Sequence, residues 1–524
     1  MAKPSNDAVN ITESGKRNRE HGMFQDPLVS ARTEELEQGM NKQLQEMVEK
    51  GRLTAVYSFV VEHRGGTPIG VRPPLRGCYN VIFVVDFADG SALLRVAVPG
   101  SVAYPDEKVR AEVATMRYVE KMTSVPVPHI YHWGTAAENP LGLGAFIVMD
   151  YIAHHQSLAQ LLGDPTVTDD TRQYLNPKVP KDTLARMYRQ VADIHLQLSK
   201  LEMPRIGALR QNGPDSFSVA TRPMTQDMNE LLLQGGIPWS VLPPYRTTYE
   251  TSDEWYAALA YLHVAHLTFQ HNKAVDSADD CRDKFVARHL FRQRARAGGC
   301  FGTARPQRKS VKKKKETFRL WVDDLRPHNI LIDADLNIVG VIDWEWAYFA
   351  PESYVQGPPW WLLLGRPECW RGTVLQFRDE FAKSLDIFLK ELRAAEEEEH
   401  RGEGRNSRPT DQRLKALSLD ADARVQLSDR MRQNWDSGLF WANYAARKCY
   451  GFEPVFWGLL DEKFFGENAE GGYEGRIPLL SEKLKWQMES FVEKKLEESK
   501  EGKIVDWDAD EAKSYLADIL ADLN

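Results

Sequence analysis

The sequence predicts an α+β fold of two unequal lobes: a small antiparallel β-sheet lobe with one helix, then a large, mainly helical lobe that carries one hairpin. Three observations predict it. Residues 46–152 hold short β-branched and aromatic runs around a single amphipathic stretch. After Ile152 the apolar spacing turns helical. One segment, "RLWVDDLRPHNILIDADLNIVGVIDWEWAY" from Arg319 to Tyr348, interrupts that spacing with two apolar runs separated by turn residues. At 524 residues the chain also exceeds what one hydrophobic core normally supports.

In chain order, the first 25 or so residues are polar and unpatterned, and "ARTEELEQGMNKQLQEMVEKG" predicts a polar helix ending near Gly51, so residues 1–45 are expected to be a tail and helix outside the first lobe. "LTAVYSFVVEH", "YNVIFVVDF" and "ALLRVAV" predict three strands, the last two joined by "ADGS", whose Asp-Gly favours a hairpin. "PDEKVRAEVATMRYVEKM" predicts a helix, and "HIYHWG" and "GAFIVMDYI" two further strands. Residues 153–524 form the helical lobe, with helices over "TLARMYRQVADIHLQLSKL", "EWYAALAYLHVAHLTFQ" and "DKFVARHLFRQRARA". The glycine-rich and basic stretch 298–316 and the polar stretch 396–413 are expected to be flexible surface insertions.

Composition narrows the function. Apolar residues at 42% and charged residues at 27% describe an ordinary globular chain. A net charge of −8 gives no global reason to bind nucleic acid or an anionic membrane. The five cysteines contain no C-x-x-C pair, so neither a zinc site nor a disulfide framework is indicated. No secretion signal and no membrane-spanning run is apparent, and a cytoplasmic location is expected, with the nucleus left open.

The hairpin segment carries the chemistry. "NILIDADLNIVGVIDW" predicts strand, turn around Asp333 to Asn337, and strand. Antiparallel pairing brings Asn329, before the first strand, beside Asp343, at the end of the second, and Asp324 can reach the same place across its loop. Oxygen ligands of this kind suit Mg²⁺. Acidic residues beside turns are common for backbone reasons, and Asp324 alone would be read that way; the set of Asp324, Pro327, Asn329 and "IDWEW" favours function.

A catalytic Asp, an Asn five residues on and a later metal-binding Asp resemble the pattern of phosphotransferases with the protein-kinase fold. "VDDLRPHN" and "VIDWEWA" resemble most closely the aminoglycoside phosphotransferase family, and within it fungal phosphotransferase-domain proteins. The resemblance implies a bilobal kinase-like fold with its catalytic loop at 322–348, ATP (with GTP open) and Mg²⁺ as cofactors, and a small-molecule hydroxyl as acceptor. It implies Asp324 as the catalytic residue and Asn329 and Asp343 as metal ligands. The family's His-Gly before the catalytic Asp is here Val322-Asp323, which leaves a register ambiguity that the spacing to Asn329 resolves towards Asp324.

For the first lobe, the resemblance implies a basic strand residue held by a helix carboxylate. Arg95 is the only charge in "ALLRVAV", and Glu112 lies within the apolar stripe of Val109, Val113 and Met116, where an unpaired carboxylate would be costly. Solvent exposure is the ordinary fate of a strand arginine, but Glu112 needs a partner, so the two are expected to pair. Gly77, Tyr79 and Asn80 are implied as a loop over the phosphates, although a plain turn explains Gly77 almost as well. Backbone from Met149 to Tyr151 is implied to meet the adenine edge.

Other features stay with structural explanations. His154-His155 has no metal-ligand spacing, and the basic run 305–315 is more often a solvated loop than a nucleic-acid patch. Glu345, Asp436, Trp360, Trp361 and Trp435 could attract a cationic group, which would favour a hydroxylated amine as acceptor, while core packing is the commoner role for the tryptophans. Two competing classes remain: a non-catalytic protein that keeps the bilobal fold for binding, distinguished by absence of Mg²⁺-dependent nucleotide binding, and a nucleic-acid module built on 305–315, distinguished by affinity that collapses with salt.

Overall fold

The computed structural model describes residues 23–49, 51, 53–77, 79–167, 174–298, 316–401 and 425–521. The polar helix is α1 (Pro27–Glu49). The stretch expected as the first strand is instead α2 (Leu53–Arg64), whose buried residues Val56, Phe59 and Val60 recur at helical spacing. Their β-branched content suggests a strand, but one apolar face with a polar back seats a helix on the sheet.

Six strands follow: β1 (Pro68–Val71), β2 (Leu75–Arg76), β3 (Asn80–Phe87), β4 (Gly90–Ala97) and, after α3 (Pro105–Met122), β5 (Ile130–Gly134) and β6 (Phe146–Tyr151). The order is β1-β3-β4-β6-β5, with β2 also on β3, and every pairing is antiparallel. Strand alternation divides the side chains between two faces. Phe83, Val85, Leu94, Val96, Phe146 and Val148 pack with α2, while Val84, Leu93, Ile147 and Met149 pack with α3 in the large core that continues into the helical part. Arg95 alternates onto the α3 face, opposite Ile82 and Ile147 in the ladder.

Beyond the sheet come β7 (Gln156–Ser157), α4 (Leu158–Leu162), α5 (Lys181–Leu198), β8 (Glu202–Met203), β9 (Ala208–Gly213), β10 (Ser216–Thr221), α6 (Gln226–Leu233), α7 (Ser252–Phe269), α8 (Ala278–Arg296), β11 (Phe318–Val322), β12 (Ile330–Ile332), β13 (Ile338–Val341), β14 (Ala347–Pro351), α9 (Glu352–Val355) and α10 (Val374–Arg401). The described helices past α10 are Leu427–Asp436, Leu439–Arg447, the short Phe452–Val455 and Asp461–Phe465, then Glu482–Glu501 and Ala509–Leu520. The expected hairpin is β12–β13, with Ile330 opposite Val341.

This part has more strand than expected. β9 and β10 form a separate hairpin, β11 pairs with β14 and β8, and β12 also pairs with β7. The β11–β14 ladder joins Val322 to Ala347 across the whole hairpin segment, so no turn signal marks it in the sequence. The insertion expected at 396–413 begins too early: α10 runs through Arg401, and buried Glu396 accepts hydrogen bonds from Ser428 N at 3.2 Å and Ser428 Oγ at 2.6 Å. Residues 402–413 and the basic run 305–315 lie outside the described residues. Among those described, no helix is long and apolar enough to cross a membrane.

Candidate active site

β11 delivers two consecutive aspartates that part company. Asp323 is buried; Arg447 Nη1 donates to its Oδ1 at 2.9 Å and Trp321 Nε1 to the same atom at 3.1 Å. Burial pushes its carboxyl up, but Lys448 and Arg447 more than offset this and leave it below its ordinary value. Asp323 therefore anchors the loop to the helix Leu439–Arg447. Asp324 faces the other way, where Asn329 Nδ2 donates to its Oδ2 at 2.9 Å and Arg326 Nε lies 2.8 Å from its Oδ1. Burial raises the Asp324 carboxyl, with Arg326 opposing.

The turn Pro327–Asn329 sets Asn329 as a junction. Its side chain also holds the Asp324 carbonyl at 2.9 Å, and its own carbonyl accepts at 2.9 Å from the backbone N–H of Ile342, the residue before Asp343. That Ile342–Asn329 bond ties the end of β13 to the start of β12. The chain then turns sharply, with left-handed backbone at Asp343 (φ 55°) and Trp346 (φ 63°).

Arg95 lies between two carboxylates. It forms an ion pair with Glu112 and donates from Nη1 to Asp343 Oδ1 at 2.9 Å. The expected strand-to-helix pair is thus present, with Arg95 3% and Glu112 1% exposed, and Asp343 completes it. A second bridge, between Lys108 in the first turn of α3 and Glu345, did not emerge from the sequence. A lysine one turn into a helix suggests solvent; only the position of Glu345 explains its burial. The Asp343 side chain remains 32% exposed, so it is the carboxylate of this group most open to a ligand. Burial and the nearby Glu345 push it up to about 7, against the pull of Arg95. For Glu345 burial acts upward too, but Lys108 and Arg95 hold it below its ordinary value.

The remaining expectations divide. Gly77 closes a tight turn between β2 and β3 by donating to Asn80 O at 2.9 Å; a Cβ there would meet only ordinary contact, so the turn does not demand glycine. Tyr79 packs edge-on to Trp346 at 6.4 Å, and Asn80 Nδ2 lies 3.5 Å from Glu345 Oε2, so the loop borders the same segment. Met149 is flanked by Leu93 and Ile130 inside the sheet, which occupies its backbone; strand pairing of β6 ends at Tyr151, opposite Ser91. Backbone clear of the sheet therefore begins at Ile152 rather than at Met149.

The cation-attracting set does not assemble. Glu345 is committed to Lys108, and Asp436 is exposed on the helix Leu427–Asp436. Trp435 stacks on Phe381 at 5.1 Å. Trp360 and Trp361 line, with His195 and Leu325, a cavity of about 20 Å³, room for a water molecule and too small for an acceptor. Trp361 packs there, while the ring of Trp360, the other member of this pair, lies 5.8 Å from the Arg366 guanidinium carbon.

The sequence matches the phosphotransferase enzyme family over residues 70–354, more than half of the chain. The chain belongs to that family. Solved structures with likeness to this phosphotransferase include a Ralstonia eutropha protein assigned as an aminoglycoside phosphotransferase (11% identity, TM-score 0.36, covering 86% of this chain and 98% of the other). Another is aminoglycoside phosphotransferase APH(4)-Ia in a ternary complex with AMP-PNP and hygromycin B (16%, 0.36, 79% and 100%). A third is a Thermobifida fusca protein assigned as a fructosamine-3-kinase (16%, 0.33, 72% and 97%). No curated protein matches the sequence.

Among the described residues, no three His, Cys, Asp or Glu side chains form a self-contained metal site. The site around Asp324 offers a smaller set: the exposed part of Asp343, and the Asn329 amide, whose nitrogen is taken by Asp324. Few protein oxygens, one of them on a carboxylate only partly engaged by Arg95, fit a hard cation that completes its shell with water and phosphate oxygens.

Proposed function

We propose that this phosphotransferase moves the γ-phosphoryl group of ATP to a hydroxyl of a small molecule, with Mg²⁺ as the resident cation. The observation that carries the reading is the double use of Asn329, whose side chain fixes Asp324 while its backbone fixes the strand end that leads into Asp343. A group that orients a hydroxyl and a group that can hold a metal are thereby set from one residue.

In the reaction the acceptor oxygen attacks the γ-phosphorus, the bond from that phosphorus to the bridging oxygen of ADP breaks, and the hydroxyl proton passes to the Asp324 carboxylate. Burial raises the Asp324 carboxyl and so makes it a stronger proton acceptor than an ordinary aspartate. Asn329 and Asp343 would hold Mg²⁺, which supplies neutralisation of phosphate charge. Arg95, steadied by Glu112, contributes positive charge on the nucleotide side, and the turn at Gly77 to Asn80 borders that space. Backbone near Tyr151 leads into the segment proposed to meet the base. GTP is the competing donor, and the cytosol is the proposed location.

The test is Mg²⁺-dependent binding of ATP and GTP to the purified protein, followed by a metabolite screen that detects phosphorylated products by mass. Binding with a product about 80 Da heavier, the mass of a phosphoryl group, supports the reading. Failure to bind either nucleotide with Mg²⁺ overturns it.

A further inference from the structure

Arg366 has no hydrogen bond or ion pair to its guanidinium among the described residues, although it is partly buried. Most other buried arginines have such partners: Arg288 has Glu453, Arg447 has Asp323 and Arg476 has Asp461. The contact recorded for Arg366 is the Trp360 ring, 5.8 Å from its guanidinium carbon. Its nitrogens reach solvent, so its five N–H groups are available to an acceptor from outside the chain.

Its surroundings hold it in place without using those donors. Trp361 Nε1 donates to Leu325 O at 2.6 Å, pinning the start of this segment to the loop that carries Asp324. Leu364 takes a left-handed backbone (φ 63°), a conformation that costs a non-glycine residue and recurs at ligand sites. Glu368 accepts from Tyr444 OH at 2.7 Å, and Glu230 from Gln226 Nε2 at 2.9 Å, so each nearby carboxylate is satisfied elsewhere. Burial disfavours the charge on Arg366, and Glu230 and Glu368 more than restore it. The charge of Arg366 is also felt at Asp324, where it favours the carboxylate form.

The geometry points to Arg366 as the acceptor-recognising residue of the cleft, and to an acceptor that carries a carboxylate beside its hydroxyl. This rests on the phosphotransferase reading above and gives it a substrate class. A planar guanidinium fixed by an aromatic face, with its donors open, matches a carboxylate in two-point contact. The γ-phosphate of the nucleotide is the other anion that could meet it, and the experiment separates the two.

Wild type, Arg366→Gln and Arg366→Lys are compared in two arms. In the first, thermal shift is read with glycerate, malate or gluconate, and separately with Mg·ATP. The hydroxy acids should raise Tm for wild type, fail to do so for Arg366→Gln and do so partly for Arg366→Lys, while the Mg·ATP shift stays equal in all three. In the second, transfer is measured to the same acids, to ethanolamine and to glucose; the acids should be preferred, with KM raised about tenfold or more in Arg366→Gln. Preference for glucose or ethanolamine, or loss of the Mg·ATP shift in Arg366→Gln, overturns this inference and leaves the phosphotransferase reading standing. Absence of transfer to every acceptor counts against the phosphotransferase reading, and the first arm then decides the role of Arg366 alone.

Discussion

Lys108 and Glu345 form an ion pair in which each side chain is 2% exposed, joining the first turn of α3 to the segment just past Asp343. Two charges withdrawn from water this completely are stable only together, and each is the main compensation for the other. With the Arg95 bridge, the pair fixes α3 to the segment around Asp343 at two points one helical turn apart.

Removing one partner should therefore be costly. Lys108→Met is expected to destabilise the fold by about 3–5 kcal/mol, and the double variant with Glu345→Gln by less than the sum of the single changes. Urea unfolding of the four proteins measures the coupling; additive losses would show that the two side chains do not act as a pair.

Asp324 and Asp323 should separate cleanly. Asp324→Ala is expected to lower transfer by about 10²-fold or more while leaving Mg²⁺-dependent nucleotide binding close to wild type. Equal loss of nucleotide binding in Asp324→Ala and Asp343→Ala would reverse the roles assigned to them.

Asp323→Ala leaves Arg447 buried without its carboxylate and should act through stability, by about 3–5 kcal/mol. Its midpoint in denaturant should fall well below that of Asp324→Ala. A stable Asp323→Ala protein that had lost only activity would move the catalytic role one residue back.

The Asp343 carboxyl, raised to about 7, gives a pH dependence with a definite sign. Between about 4 and 7 the folded chain holds a proton at Asp343 that the unfolded chain has released, so this group's contribution to stability falls as pH rises through that window. Metal binding needs the ionised form and should strengthen over the same interval. The rise in Tm from Mg·ATP should thus be larger at pH 8 than at pH 6, and Asp343→Asn should abolish the difference. An equal rise at both values would place the metal elsewhere.

Arg95 and Glu112 were legible because a carboxylate inside an apolar helical stripe demands a partner, and one strand offered one charge. The β12–β13 hairpin was legible because its turn and both strands are local. Lys108 was not, since nothing in the first turn of a helix distinguishes a buried lysine from a solvated one until its distant partner is known. The β11–β14 ladder was hidden for the same reason: its partners are adjacent only after the segment between them has folded. In α2 the helical spacing of Val56, Phe59 and Val60 was present, and the β-branched composition outweighed it. Glu345 was misassigned because an acidic residue beside a catalytic motif looks available for a substrate, whereas it is enclosed.

The left-handed backbone at Asp343 sets this residue against the interests of the fold. Its conformation suits asparagine or glycine better, and its charge sits where burial and neighbouring carboxylates oppose ionisation. A laboratory population selected for heat resistance alone would exchange this aspartate for asparagine early, which keeps an oxygen for Arg95 and sheds the charge. Thermostabilisation of this chain should therefore be screened for retained nucleotide binding from the first round, because the cheapest gains lie inside the cleft.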